Sequence, residues 1–403
     1  MDKTYDIGII GGGIAGAFAA LRLAENHKKQ KCILFEFGRP PAKRRRQLEG
    51  WFGCFPFGDG KIYPGDTDQI LEIADGRRVR SMSKWFQQQL DEINTSKLIK
   101  NKLPAVSIQK KIKEAGFELS THDYYQWRPV SIHELSRNVA DRVEKGGNVT
   151  FSFDNEVFTI MKTGSSFSVT TAKGDFTCKK LIMCVGRSGW RWVNKVYKDL
   201  GILVSDDLAT FGVRIELPSQ YLKDFNKSHC SLIRDDLRIG PFSWGGQVIQ
   251  EDHADVTIAS FRSNEDRWKT DKVFFSMLIN KEFPGDACDQ TERLAKLAFL
   301  LSQDRVGRER IKTFMKGDDQ LSLIPEYQWM NEYFKELEGI IPTIISRGYF
   351  HCPDIYSITS NIRVAPNMET EIEGLFVAGE SGGIRGITGA GVSGGIAAEC
   401  AAK

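Results

Sequence analysis

The stretch Asp6-Ile7-Gly8-Ile9-Ile10-Gly11-Gly12-Gly13-Ile14-Ala15-Gly16 decides how this chain is read. Its first half is apolar, as a buried strand is, and its second half has glycine at all three positions of G-x-G-x-x-G. Each glycine has a physical task. Gly11 permits a tight turn, Gly13 lets the backbone approach a pyrophosphate, and Gly16 lets the next helix pack closely on the strand. Ala17, Ala20, Leu21 and Ala24 then recur at helical spacing. A second apolar run, Cys32-Ile33-Leu34-Phe35, ends in Glu36, twenty residues after Gly16, where an acid accepts hydrogen bonds from an adenosine ribose. The whole reads as a strand, helix, strand unit with a dinucleotide's phosphates at the helix N-terminus. Ile14, Ala15 and Phe37 are expected to flank that ligand beside the glycines and Glu36.

The far end of the chain bears on which dinucleotide this is. Gly374-Leu375-Phe376-Val377-Ala378-Gly379-Glu380 is a strand ending in a small residue, a glycine and an acid, and a glycine-rich segment follows through Gly395. It resembles the C-terminal flavin motif of the two-dinucleotide-domain flavoproteins. That resemblance implies that Gly379 and Glu380 hold the ribityl chain of FAD, with Asp commoner than Glu at the acid. It also implies that a helix starting near Gly386, Thr388, Gly389 and Ala390 points its N-terminus at the flavin pyrimidine, where its amides favour negative charge. A third segment, Leu181-Ile182-Met183-Cys184-Val185-Gly186, is an apolar strand closed by glycine, similar to the small-residue turn at which such chains return to the FAD domain.

Composition narrows the class. With 403 residues, 41% hydrophobic and 27% charged, the chain has the make-up of an ordinary soluble globular protein large enough for one large or two interleaved domains. The apolar run Ile7 to Ile10 is too short for a signal-peptide core or a membrane span. Eight scattered cysteines without a C-x-x-C pair, and six histidines without zinc-like spacing, predict reduced thiols, no metal and a cytoplasmic location. A net charge of +3 makes no strong case for a nucleic-acid partner. The one dense basic run is Lys43-Arg44-Arg45-Arg46, which is either a solvated loop or a contact to the cofactor's phosphates, with Arg44 the candidate, or to an anionic substrate.

Between the motifs, Ser131-x-x-Glu134 is expected to open a helix as a capping box, closed by Gly146-Gly147. Short alternating strands over 149–153, 157–160, 167–171 and 176–180 suggest a β-meander, in which the backbone at Val157 touches adenine by analogy with similar flavoproteins or Val157 is a core residue. From 206 to 361 the pattern changes to strands such as 211–217 and 256–261 and helices such as 292–302 and 329–337. The expected fold class is therefore α/β: a discontinuous Rossmann-like, glutathione-reductase-like FAD-binding domain, 1–205 with 362–403, and an inserted α+β domain, 206–361, that covers the flavin and builds the substrate pocket.

Gly58-Asp59-Gly60-Lys61, Gly186-Arg187-Ser188-Gly189, Phe211-Gly212-Val213-Arg214-Ile215-Glu216-Leu217-Pro218 and the C-terminal glycine-rich segment together resemble the putative NAD(FAD)-utilising dehydrogenases. Most of the chain takes part. More distantly the chain is similar to the glutathione-reductase-like flavoproteins, including geranylgeranyl reductases. The resemblance implies a two-domain FAD fold and leaves the substrate open. It places the 52–61 loop alongside the isoalloxazine, with Gly60 and Lys61 at the cofactor. Larger members carry a cysteine-rich stretch before that loop, where this chain has Arg44 to Arg46.

A flavin performs the hydride chemistry itself, so few catalytic side chains are needed. Lys61 is a candidate to stabilise an anionic reduced flavin, Asp59 to move a proton and His351 to act as acid or base, each against a structural alternative. Arg187 and Arg214 are candidates to grip a carboxylate or phosphate of the substrate, or else form salt bridges. Tyr349 lies beside His351 as a further substrate candidate. Trp190 and Trp192 either pack or line a flat pocket. A second Rossmann unit for NAD(P)H and a C-x-x-x-x-C redox pair are both missing from the sequence. NAD(P)H is then expected at most as a transient electron donor, and the FAD to be non-covalent. A small molecule is the expected partner, with a flavoprotein acting on tRNA or DNA and a non-catalytic flavin binder as alternatives.

Overall fold

The computed structural model describes residues 3–44, 48–93, 96–253, 256–357 and 361–403. Arg45 and Arg46 of the basic run lie outside the described residues. The chain divides into two compact units, Met1–Lys97 with Tyr125–Ser205 and Thr359–Lys403, and Leu98–Tyr124 with Asp206–Ile358.

The first unit is built on strands β1 (Thr4–Ile10), β2 (Cys32–Phe35), β3 (Val149–Ser152), β4 (Val157–Thr163), β5 (Ser166–Thr171) and β6 (Gly174–Met183). β3, β2, β1 and β6 lie side by side and parallel. The C-terminal strand Leu375–Val377 adds in parallel to the second half of β6, while β5 pairs antiparallel along its first half and β4 in turn pairs antiparallel with β5. Parallel neighbours need crossovers, and α1 (Ile14–Asn26) supplies the one from β1 to β2. Both faces of this sheet are covered, which is why its strands read as unbroken apolar runs. Ile7 and Ile9 pack with α1, α2 (Gly76–Asp91), α3 (Pro129–Gly146) and the last helix, whereas Ile10, Phe35 and Met183 pack with the meander and with α4 (Trp190–Asp199). The last helix, α5 (Ile387–Ala401), packs tightly on α1: a Cβ on its Gly394 would lie 2.2 Å from the Ala15 carbonyl oxygen. This is the Rossmann-like α/β arrangement with a meander crossover.

Three local expectations change. Ser131 does not cap a helix: α3 begins two residues earlier, with Pro129 pre-set for the first turn and Arg128 at the N-cap without a side-chain bond. The 149–153 strand is not part of the meander but the parallel edge next to β2. The 176–180 run and the start of the 181–186 run are one strand, β6, which pairs in parallel with β1 along most of its length on one side and, on the other, with β5 through its first half and with Leu375–Val377 through its second. At the outer edge, β4 carries exposed Phe158 and Met161, and the Trp192 indole donates a 2.9 Å hydrogen bond to the Phe158 carbonyl.

The second unit holds an eight-stranded sheet with Leu208–Pro218 between Lys272–Glu282 and Tyr349–Ser357. Val213, Ile215 and Leu217 face its apolar core, and Arg214 and Glu216 point to the opposite face. Assigning 98–124 to the first domain does not hold for this division: Glu118–Thr121 pairs with Cys230–Arg234, and Ala105 N–H donates to Asp224 O over 2.7 Å. Among the described residues no helix is long and apolar enough to cross a membrane, and the eight cysteines are free thiols.

Candidate functional site

Three separated segments meet where the parallel strands of the first unit end. Gly11 N–H donates to Phe35 O over 2.8 Å, Cys184 N–H to Ile10 O over 2.8 Å, and Ala378 N–H to Met183 O over 2.9 Å, so the glycine turns of 11–16, 184–186 and 378–383 are stitched to one another through the sheet. Ligands of open α/β sheets settle at these carboxyl ends. Gly11 has φ 99°, and a Cβ there would lie 2.8 Å from Cys184 O, so both its conformation and its surroundings demand glycine. A Cβ on Gly16 would come within 1.9 Å of Gly11 O, which shows how closely α1 starts against the turn. Gly13 differs. A Cβ there would meet nothing within 4 Å, and the same holds at Gly186, so these two glycines border open space. Ile14 and Ala15 begin α1 and are buried.

Glu36 is only 7% exposed, and its carboxylate is held by three backbone amides, Oε2 by Gly12 N–H at 2.6 Å and Oε1 by Gly38 N–H at 2.7 Å and Gly50 N–H at 3.0 Å. It therefore clasps the glycine turn to the loop that follows β2. Phe37, half exposed, stands beside it. Arg44 is turned into that loop. Its guanidinium donates to Glu49 O at 3.2 Å, to Trp51 O at 2.6 Å and to Gly53 O, and it lies 4.9 Å from the Phe57 ring centroid. Burial pushes Arg44 down to about 10, with Cys54 and Glu36 opposing, so it stays charged at neutral pH. The loop bears on the glycine turn itself: Phe52 N–H donates to Gly12 O over 2.7 Å, and a Cβ on Gly53 would lie 3.4 Å from Gly13 Cα. Nothing local in the sequence announces this staple, because its acceptors are carbonyls.

Further along, Gly60 takes φ 71° and Lys61 is buried, its ammonium 2.8 Å from Asp59 Oδ2 and its amide 3.1 Å from Asp59 Oδ1. Asp59 and Lys61 are thus one ion pair on a turn, anchored by Trp127 N–H to Gly60 O and the Gln126 amide to Asp59 O. At the C-terminal motif Gly379 has φ 61° and donates to Ser393 Oγ over 3.0 Å, and Glu380 pairs with Arg385 at 3.5 Å. Gly386 is the N-cap of α5, and Thr388, Gly389 and Ala390 lie in its first turn. Arg187 opens the short helix after Gly186, next to a water-sized recess of about 10 Å³ between Gly186, Trp190, Asn194 and Glu380. Val157 begins β4 as a core residue. Trp190 is buried, and Trp192 guards the sheet edge rather than a pocket.

The other three candidates belong to the second unit. Arg214 is paired with Asp354 at 3.1 Å and donates to Ala259 O at 3.3 Å. His351 Nε2 is 2.7 Å from Glu216 Oε2, and the same carboxylate takes Lys272 at 2.5 Å and the Arg308 fork at 2.8 and 3.1 Å. Tyr349 lies under Arg308, 3.6 Å from guanidinium to ring centroid. Burial pushes His351 below its ordinary value against the pull of Glu216. Burial alone would raise Glu216, but the hydrogen bonds from His351, Arg308 and Lys272 outweigh it and hold the carboxyl far below the usual range.

No family model matches the chain, and no curated protein matches it by sequence. Among solved structures it is similar to glycine oxidase from Geobacillus kaustophilus, at 14% identity and a TM-score of 0.45 over 99% of this chain and 95% of that one. L-proline dehydrogenase from P. horikoshii follows at 14% identity and a TM-score of 0.42, over 99% and 92%.

Proposed function

We propose that this chain is an oxidoreductase that binds FAD non-covalently on its first unit. The observation that carries the reading is the convergence of three glycine turns at the strand ends, with Gly13 and Gly186 facing open space while Gly11 and Gly16 are closely packed. Bare backbone beside empty space is what an approaching pyrophosphate needs, and the start of α1 adds partial positive charge. The residues fit FAD. Glu36 keeps one acceptor site, on Oε2, for a ribose beyond its three amide bonds, and by the resemblance to the C-terminal flavin motif Glu380 would hold the ribityl chain and the start of α5 would lie by the pyrimidine. When bound, the flavin supplies hydride transfer.

The chain's own part is to position and to set charge. Lys61, held by Asp59, places a cation near the flavin under this reading, and Arg44 keeps the 49–53 loop closed on the glycine turn. The second unit, with its buried Glu216, His351 and Arg214, is assigned to the substrate, a small or medium-sized molecule. NAD(P)H as a transient reductant is part of the proposal to be tested.

The test is the visible spectrum of the purified protein before and after anaerobic NADPH or NADH, with the released cofactor weighed by mass spectrometry. FAD bands that bleach support a reductase. FAD bands that persist point to oxidation of a bound substrate. A protein that neither carries nor takes up FAD overturns the reading, as does unchanged flavin content in both Gly13→Val and Glu36→Arg.

A further inference from the structure

The second unit carries a surface where lysines and bare aliphatic side chains stand together. Segment 98–114 is fastened along segment 221–229. Asn101 Nδ2 donates to His229 O at 2.6 Å, His229 N–H to Asn101 Oδ1 at 2.8 Å, Ala105 N–H to Asp224 O at 2.7 Å and Asn226 Nδ2 to Leu103 O at 3.1 Å. These bonds bring exposed Lys223 and Lys227 beside exposed Lys102 and Leu103. The two segments hold seven lysines against two acids, a local charge of +5 in a chain whose total is +3. Lys100 is paired with Asp123 at 2.6 Å and Lys110 with Glu114 at 3.6 Å, whereas no ion pair among the described residues takes up Lys102, Lys113, Lys223 or Lys227. In the helix Val106–Glu114, Ile108 and Ile112 pack inward, and Val106, Lys110 and Lys113 share a face turned away from them at helical spacing. Val106 is 80% exposed, Leu103 56% and Ile99 40%, so three branched aliphatics meet water among the lysines.

We infer that this surface docks the protein on an anionic phospholipid membrane, with the lysines against the headgroups and Leu103 and Val106 dipping into the acyl boundary. A bilayer surface offers both partners the patch lacks, negative charge and an apolar layer just beneath it. A nucleic acid would reward the lysines and give the aliphatic side chains nothing, since it is held through phosphates and by stacking on aromatic rings. A merely solvated basic face has no use for bare Leu103 and Val106. Docking depends on this surface alone and not on whether the first unit carries FAD.

The test is co-sedimentation of the full chain with phosphatidylcholine vesicles and with vesicles in which about a third of the lipid is phosphatidylglycerol. Wild type is expected to bind the anionic vesicles and not the neutral ones, and rising salt should release it by screening the charges. Lys102→Glu with Lys227→Glu should weaken binding about 25-fold or more, at about fivefold for each lysine lost. Leu103→Ser with Val106→Ser leaves the charge unchanged and should weaken binding about tenfold. Lys28→Glu with Lys29→Glu makes an equal change of charge at exposed residues of the first unit and should bind as wild type. The altered side chains are exposed and should leave the thermal melt alone; if one pair misfolds, the other decides. Wild type that ignores anionic vesicles overturns the inference, and so does equal binding to neutral ones, full binding by the serine pair or an equal loss in the first-unit control. Salt-sensitive binding to a short single-stranded RNA that the serine pair leaves intact, with no vesicle binding, overturns it in favour of a nucleic acid.

Discussion

Two glycines three residues apart do opposite jobs, and a single methyl group distinguishes them. At Gly13 a Cβ meets no atom of the protein, and its backbone, φ −65°, suits any residue. Gly13→Ala should therefore melt with wild type and yet bind FAD at least tenfold more weakly, because the methyl stands where the ligand approaches. At Gly16 the Cβ would sit 1.9 Å from Gly11 O. Gly16→Ala should lose about 1–3 kcal/mol through overpacking, seen as a lower melting temperature before any cofactor is added. Thermal melts of the apoproteins with parallel flavin titrations check both; a Gly13→Ala protein with wild-type FAD affinity contradicts the assignment. The spacing of these glycines was legible in the sequence. The three-amide clasp of Glu36 was not, since Gly38 and Gly50 become its partners only when the chain folds.

Among the elements, the 49–53 loop depends on one guanidinium serving three carbonyls. Arg44→Lys keeps the charge and loses the fork, so it should loosen the loop almost as much as Arg44→Ala, read as faster proteolysis within 49–53. The strands around Glu216 make a prediction for acid. The folded carboxyl stays ionised below its ordinary value of 4.5, and folded His351 resists protonation below its ordinary 6.5. As pH falls through about 6.5 and then about 4.5, the unfolded chain takes up more protons than the folded one, so stability must fall. Urea melts between pH 8 and 3 should show this decline, and Glu216→Gln should flatten its lower part while weakening the protein at pH 7. Stability flat across that range contradicts it. Element types were readable from periodicity, as in α1 and β2, but partners were not. The Ser131 capping pattern was overridden by Pro129, and β3 found a parallel neighbour because Cys32 to Phe35 offered a free edge.

For the whole molecule, the hidden feature is Leu98–Tyr124, a segment that counts with residues more than a hundred positions later. No change of composition marks it, because what assigns it is strand pairing with Cys230–Arg234. A chain shortened by 206–358 should keep the parallel sheet and yet precipitate, since Ile108, Ile112 and Phe117 lose their cover. Removing 98–124 as well should restore a monodisperse peak in gel filtration. The candidate site, by contrast, was visible early, because each of its segments bears glycines whose spacing is local even though their meeting is not.

Trp192 and the outer strand β4 have a bearing on solubility. An open sheet edge with exposed Phe158 and Met161 is an invitation to another chain's backbone. By occupying the Phe158 carbonyl, the indole N–H takes away one of the acceptors on which a fibril would begin to grow, so Trp192→Phe is a change whose cost appears on the shelf rather than in the melt.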